Sequence, residues 1–308
     1  STLSFFIVSK IMIACRYFPT SVLPHKRKIF YNMVRCEQNR QRFTSTDQLV
    51  TLEHCTESTL KGIAMLTLNR PKANALSKVM LAELETALDT ARFDDSIRVL
   101  VISSSNPKIF CAGADLKERA TMPQEEVPPF VHRLRMLMDT VASLPMPTIA
   151  SMEGAAFGGG LELALACDMR IAGSQAVMGL TETSLGIIPG AGGTQRLPRL
   201  IGATKAKELI FTASRLNAAE AHEIGLVNRI VEAGKADSAA LDLAQEIIPQ
   251  APIAVRLSKL AVDKGLQTDI ATGMAFEKSY YDQVIKTEDR NEGLQAFKEK
   301  RSPKYEGK

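Results

Sequence analysis

The sequence contains no tryptophan and only 6% aromatic residues, so it offers little of the aromatic surface on which single-stranded nucleic acids stack. Its five cysteines include no C-x-x-C pair, which gives no basis for a zinc site or a disulfide framework and favours a reducing compartment. The four histidines have no spacing typical of a metal site or a catalytic triad. We therefore predict that the chain holds no metal.

Acidic residues are almost absent from residues 1–46. Eight basic residues and one glutamate give this segment a net charge of +7, which leaves −3 for the rest of a chain whose total is +4. A basic, acid-poor N-terminal segment is typical of a mitochondrial presequence. Its apolar run at residues 3–14 is interrupted by Lys10 and is too short to cross a bilayer, although a signal peptide is the alternative. We predict a transit segment at 1–46, a location in the mitochondrial matrix and no membrane anchor.

The rest of the chain alternates short apolar runs with amphipathic stretches, in a sequence that is 45% hydrophobic. Continuous apolar runs at residues 63–68, 99–103 and 148–152 predict buried strands, and 77–92 and 127–143 have helical spacing. From residue 237 onward the pattern is wholly helical. We predict an α/β core over residues 47–236 and a helical region over 237–308.

Three consecutive glycines, Gly158, Gly159 and Gly160, stand where a predicted strand turns into a predicted helix. Glycine allows a backbone to approach a ligand closely, because no Cβ is in the way. The first amides of a helix have no internal partner and lie at the positive end of the helix dipole. Such a turn is suited to stabilising negative charge on an oxygen atom.

Two glutamates accompany this turn. Glu162 lies in the first turn of the predicted helix, and Glu182 is followed by a second glycine-rich turn at residues 188–195. A single glutamate at a helix start is usually a surface group, but two glutamates near glycine turns predict an oxyanion site served by two carboxylates. The turn at 190–195 matches neither a Rossmann nor a Walker pattern, so we predict no nucleotide cofactor.

These motifs together resemble the crotonase superfamily, and within it the enoyl-CoA hydratases. The resemblance is carried by Phe-Cys-Ala-Gly-Ala-Asp at 110–115, Gly-Gly-Gly-Leu-Glu at 158–162, Glu182 and the turn at 189–195. The longer stretches 113–119 and 160–168 are most similar to the mitochondrial methylglutaconyl-CoA hydratases and to the related enoyl-CoA hydratase domain-containing proteins.

The resemblance implies a fold and a set of residue roles. The fold would be a spiral of ββα units with a C-terminal helical lid, assembled as a homotrimer or a homohexamer. Coenzyme A would be part of the substrate, with no separate cofactor. The implied roles are the oxyanion hole for the amides of Ala114 and Gly159, the coenzyme A site for Asp115, Leu116 and Lys117, and closure over the ligand, from the same or a neighbouring subunit, for Phe297 and Lys300.

The implied reaction is syn addition of water across the 2,3 double bond of an enoyl-CoA thioester. Our hypothesis is that Glu162 deprotonates water and Glu182 protonates the α-carbon, with the Glu182 pKa raised by apolar neighbours. An enoyl-CoA isomerase and an acyl-CoA hydrolase of the same fold are the alternatives within enzymes. Short-chain enoyl-CoA and 3-methylglutaconyl-CoA both remain open as substrates.

A non-enzymatic alternative is binding of AU-rich RNA, which is associated with methylglutaconyl-CoA hydratases through a lysine-rich helix. Here the matching stretch, residues 77–96, carries Lys78 and Arg92 against five acidic residues. Binding of phosphates needs the opposite sign of charge. We therefore expect no RNA partner.

Overall fold

The computed structural model describes residues 48–308, so the predicted transit segment lies outside the described residues. The strands are β1 (Val50–His54), β2 (Ile63–Leu68), β3 (Val99–Ser104), β4 (Ile109–Cys111), β5 (Thr148–Met152), β6 (Ala155–Phe157), β7 (Met169–Gly173), β8 (Val177–Gly179), β9 (Leu216–Asn217) and β10 (Arg229–Val231). The α-helices are α1 (Lys78–Arg92), α2 (Leu116–Thr121), α3 (Val127–Ala142), α4 (Gly159–Ala166), α5 (Gly193–Ile201), α6 (Ala203–Phe211), α7 (Ala218–Glu223), α8 (Ala236–Ile247), α9 (Pro252–Gly265), α10 (Ile270–Val284) and α11 (Glu288–Glu299).

The strands form two sheets. The larger has the order β1-β2-β3-β5-β7-β10, and its pairs are parallel except for β1 with β2. The smaller has the order β4-β6-β8-β9, and only its β8–β9 pair is antiparallel. The central strands of the larger sheet are covered on both faces, which explains why they are continuous apolar runs rather than alternating ones.

From β3 to β8, successive strands alternate between the two sheets. Each of the pairs β3/β4, β5/β6 and β7/β8 places its first strand in the larger sheet and its second in the smaller one, and helices follow before the next pair. These three units form successive turns of a spiral, and each turn contributes one strand to each sheet. The predicted ββα spiral and its helical C-terminal region are therefore confirmed.

The larger sheet separates two apolar layers, and the period-two alternation of its strands decides which residue enters which layer. On one face, Val99 and Val101 of β3 pack with Leu243 of α8. On the other face, Leu100 and Ile102 join the main core. Helix α4 lies inside that core and all eight of its residues are buried, so the sequence's apolar run beyond the glycines is a central helix.

Some elements differ from the sequence prediction. Strands β4, β6 and β8 have three residues each, too few for a periodic pattern to stand out. Helix α5 was not predicted, because it begins at Gly193 inside the glycine-rich turn and contains Pro198. Over residues 48–308, no helix is both long and apolar enough to span a membrane.

Candidate active site

Three chain segments meet at one edge of the smaller sheet. Strands β4, β6 and β8 are parallel neighbours, so their carboxyl ends lie at the same edge. Ala114 follows β4, Gly159 follows β6 and Glu182 follows β8. The spiral thus brings together three predicted site residues that are distant in the sequence.

The amides of Ala114 and Gly159 lie close together. A Cβ atom built on Gly159 would be 3.6 Å from the Ala114 nitrogen. Leu76 fixes the segment around Ala114, because its amide donates to the Gly113 carbonyl (2.8 Å) and its carbonyl accepts from the Asp115 amide (3.1 Å). Within residues 48–308 neither the Ala114 nor the Gly159 amide donates to a protein acceptor, so both are available to a ligand oxygen.

Gly158 connects these amides to Glu182. Its φ of +52° and ψ of −125° form a conformation that residues with a side chain rarely adopt. A Cβ atom at this position would also stand 3.2 Å from Oε1 of Glu182. The conformation of the turn therefore favours glycine, and a side chain at this position would also make a tight contact with the carboxylate.

Glu162 is 3% exposed and projects from the first turn of α4. Its Oε1 accepts hydrogen bonds from the amides of Ala191 and Gly193, both at 2.8 Å. Burial raises the pKa of Glu162, while these two hydrogen bonds and the nearby cations Arg196 and Arg135 oppose the rise. The carboxylate is thus buried but well supplied with groups that favour its ionised form.

Glu182 has a different environment, although it is also buried, with 9% of its surface exposed. Burial, and then the charge of Glu162, raise the pKa of Glu182 to about 7. Its Oε2 is buried and finds no hydrogen-bond partner among the described residues. The two neighbouring carboxyl groups therefore differ in their surroundings, because Glu162 is supplied with hydrogen-bond donors and cations whereas one oxygen of Glu182 has no partner.

Both glutamates line a large cleft of about 2230 Å³. One wall is a single face of α3, whose lining residues recur at helical spacing. Apolar side chains of the segment between Glu182 and α5, including Leu185, Ile187 and Ile188, form another part of the wall. A cleft with apolar walls and a few buried polar groups is the usual form of a small-molecule site.

The predicted coenzyme A residues are placed differently from one another. Leu116 lines the cleft, and Lys117 is exposed on α2. The Asp115 carboxylate is already bound by the protein, because it accepts from Arg70 Nη2 (2.5 Å) and caps α2 by accepting from the Lys117 amide (3.0 Å). Arg70 and then the helix amides lower the pKa of Asp115. Its observed contacts are therefore structural ones.

Phe297 and Lys300 are not brought to the glutamates in a single chain. Phe297 is 86% exposed, Lys300 is exposed, and neither lines the cleft. A role in closing over the ligand stays a prediction, and it requires the cleft of a neighbouring subunit.

Sequence reasoning missed the groups that surround Glu162. The turn at residues 190–193 was recognised, but nothing in the sequence showed that its amides meet Glu162, or that Arg135 on α3 contacts the same turn. Cysteine is also a residue type that can act as a nucleophile, and Cys111 lies at the end of β4. The Cys111 thiol is fully buried and donates to the Asn74 carbonyl (3.1 Å), and burial raises its pKa to about 12, which excludes that role. Over residues 48–308 there is no cluster of side chains that could hold a metal ion.

Residues 58–308 match the family described as enoyl-CoA hydratase/isomerase. The chain is 58% identical over 253 residues to the mitochondrial enoyl-CoA hydratase domain-containing protein 2 of Mus musculus, covering 80% of this chain and 86% of that protein. It is 51% identical over 267 residues to the mitochondrial methylglutaconyl-CoA hydratase of Mus musculus, covering 85% of each. The crystal structure of an enoyl-CoA hydratase from Bacillus anthracis has a TM-score of 0.82 at 49% identity, covering 85% of this chain and 100% of that one. The chain belongs to the enoyl-CoA hydratase/isomerase family of the crotonase superfamily, whose enzymes act on acyl-CoA thioesters.

Proposed function

We propose that this protein is an enoyl-CoA hydratase that adds water syn across the 2,3 double bond of a short-chain enoyl-CoA or of 3-methylglutaconyl-CoA. The observation that carries the proposal is the pair of buried glutamates, one bound by two amides and the other with an unpartnered oxygen, beside two amides without protein partners. The similarity to a methylglutaconyl-CoA hydratase keeps the branched, carboxylated substrate open.

In the proposed reaction the amides of Ala114 and Gly159 hold the thioester oxygen. Attack of water at the β-carbon moves an electron pair toward that oxygen, and the thioester becomes an enolate. Two fixed donors stabilise the developing charge, and loss of one such donor typically costs about 3–4 kcal/mol of transition-state stabilisation. The position of Gly159 at the start of α4 adds the positive end of a helix dipole.

The two glutamates move the protons. Glu162 takes a proton from water as the water oxygen bonds to the β-carbon, and Glu182 gives its proton to the α-carbon as the enolate collapses. The amides of Ala191 and Gly193 favour the ionised Glu162 that a base requires. The buried, partnerless oxygen of Glu182 favours the protonated form that an acid requires. Exchange with solvent then restores both groups.

Two other reactions use the same kind of cleft, and analysis of the products distinguishes them from hydration. An isomerase shuttles one proton and can use a single carboxylate, so two inward-facing glutamates favour hydration. A thioester hydrolase would use the amide pair in the same way but would release free coenzyme A.

The remaining parts of the proposal concern partners and location. We propose that Leu116 and Lys117 contact coenzyme A, and that the chain forms a homotrimer or homohexamer in which Phe297 and Lys300 reach a neighbouring cleft. The mitochondrial relatives support a mitochondrial location. RNA binding is disfavoured, because residues 77–96 carry five acidic residues against Lys78 and Arg92, and phosphates require the opposite sign of charge.

The test is the loss of enoyl-thioester absorbance with crotonyl-CoA and 3-methylglutaconyl-CoA in parallel. Wild-type protein should hydrate at least one substrate, and Glu162→Gln or Glu182→Gln should reduce kcat about 10²–10⁴-fold. Glu208→Gln is the matched control, because Glu208 is exposed and pairs only with Lys205 in the ion pairs of this region. Wild-type turnover by Glu182→Gln, or release of coenzyme A in place of hydration, would contradict the proposal.

A further inference from the structure

The turn at residues 190–193 is held on both sides. Its amides at Ala191 and Gly193 donate to Oε1 of Glu162. From the opposite side, Arg135 donates to the Gly190 carbonyl through Nη2 (3.2 Å) and Nε (3.3 Å). Arg196 donates through Nη1 to the Ala191 carbonyl (3.2 Å). The guanidinium groups therefore bind the carbonyl side of the same turn whose amide side binds the glutamate.

The planarity of the peptide bond links these contacts. The Gly190 carbonyl and the Ala191 amide belong to one rigid peptide unit and point in opposite directions. Arg135 thus fixes the direction in which the Ala191 amide points at Glu162. A cation on the carbonyl oxygen also polarises the peptide unit, which strengthens the hydrogen bond donated at its other end.

The name arginine clamp is used here for Arg135, Asp139 and Arg196, of which the last two form an ion pair. Nη2 of Arg196 donates to Oδ1 of Asp139 at 2.6 Å. Asp139 lies four residues after Arg135, one helical turn further along α3. The clamp therefore ties α3 to the start of α5, with the turn between them.

We propose that Arg135 and Arg196 are positioning residues, which hold the turn at 190–193 so that both amides meet Oε1 of Glu162. Both donated hydrogen bonds end on Oε1, and Oε2 receives none from the described residues. The clamp thereby leaves Oε2 as the oxygen that takes the proton from water. This role rests on the proposed function of Glu162 as the base, whereas the hydrogen bonds that hold the turn are present whatever the function of Glu162.

The charges around Glu162 give the clamp a second effect. The cations that act on Glu162 are Arg135 on α3 and Arg196 on α5, and Glu182 at the end of β8 is close enough for its charge to interact with that of Glu162. Asp139 lines the same cleft. Cys111 of β4 lies against Gly160 of α4, the helix that carries Glu162, and its pKa of about 12 keeps the thiol neutral. Removing one arginine takes away a cation and leaves the negative groups, so the ionised form of Glu162 becomes less favourable.

The test compares Arg135→Met with Arg135→Lys, and repeats both changes at Arg196. The assay uses the substrate that the wild type hydrates, either crotonyl-CoA or 3-methylglutaconyl-CoA. With that substrate, each Met variant should have a kcat about tenfold to a hundredfold lower than the wild type, with little change in KM. The acid limb of its kcat profile should move to higher pH by about half a unit to one unit. The Lys variants keep the charge and should recover part of both effects.

The matched control is Arg133→Met on the same helix, since Arg133 forms a two-pronged ion pair with Glu85 and does not line the cleft. A loss of kcat with no movement of the acid limb and no recovery by Lys would show a merely structural role and overturn the inference.

A ¹³C titration of the Glu162 carboxyl in the ligand-free protein, assigned with Glu162→Gln, gives a readout independent of turnover. The pKa of Glu162 should rise in Arg135→Met and stay unchanged in Arg133→Met. An unchanged pKa in Arg135→Met would overturn the inference, whereas failure of the wild type to hydrate either substrate would contradict only the proposed function.

Discussion

Replacing Glu182 by glutamine should stabilise the folded protein at alkaline pH while it removes activity. In the folded state the pKa of Glu182 is raised from 4.5 to about 7. A raised pKa means that the folded protein holds this proton more tightly than the unfolded chain. The cost of ionising the buried carboxyl is therefore absent below pH 4.5, grows as the pH rises toward 7, and stays constant above it.

The size of the effect follows from the shift. A difference of this magnitude between the folded and unfolded states corresponds to about 3 kcal/mol at pH 8, at 1.36 kcal/mol for each pKa unit. Glutamine has nearly the same shape and cannot ionise, so the variant avoids this cost. The free energy of unfolding of Glu182→Gln minus that of the wild type should rise by about 3 kcal/mol between pH 4.5 and pH 8.

Urea unfolding of both proteins from pH 4.5 to pH 8 measures this difference, and subtraction removes the contributions of all other titrating groups. Glu208→Gln serves as the control, because the Glu208 side chain is exposed and its replacement should give a difference that hardly varies with pH. If the difference for Glu182→Gln is the same at pH 4.5 and pH 8, the proposed environment of Glu182 is refuted.

Three further predictions concern other groups. Gly158→Ala should lower kcat, because strain of about 1–3 kcal/mol falls on the turn beside Glu182. Equal turnover by the variant and the wild type would contradict this. Lys259→Met should lower the free energy of unfolding by about 3 kcal/mol, measured in urea, because the largely buried Lys259 Nζ donates to Asp168 at 2.8 Å and the change leaves that carboxylate without its cation. Cys111 should resist iodoacetamide at pH 8 until the protein unfolds, because its buried thiol has a pKa of about 12; rapid labelling, detected by mass spectrometry, would count against its burial.

The sequence was most informative where a pattern was long. The strands of the larger sheet are buried on both faces and so contain runs of apolar residues, and α1 and α3 have a clear helical period. Glu162 and Glu182 could be selected as candidates because each stands beside a glycine turn. These patterns arise from local structure, which a single sequence records directly.

Contacts between distant segments could not be predicted in this way. The three-residue strand β6 takes its conformation from its neighbours β4 and β8, and three residues have no measurable period. Arg135 meets the Gly190 carbonyl across 55 sequence positions, and no local pattern marks either residue for that contact. The exposed Phe297 depends in turn on a second chain for any role at a cleft, which the order of residues in one chain does not encode.

The alternation of strands between two sheets also determines when the site can exist during synthesis. Ala114, Gly159 and Glu182 come from three successive turns of the spiral, so a nascent chain that ends before β8 holds the amides without the second carboxylate. Parallel pairing across such long connections is slow compared with helix formation, because each loop must close before its contacts form. A growing or partly folded chain that lacks β8 and the turn after it therefore cannot complete the proposed site, because the amides of Ala191 and Gly193 that bind Glu162 also come later in the chain.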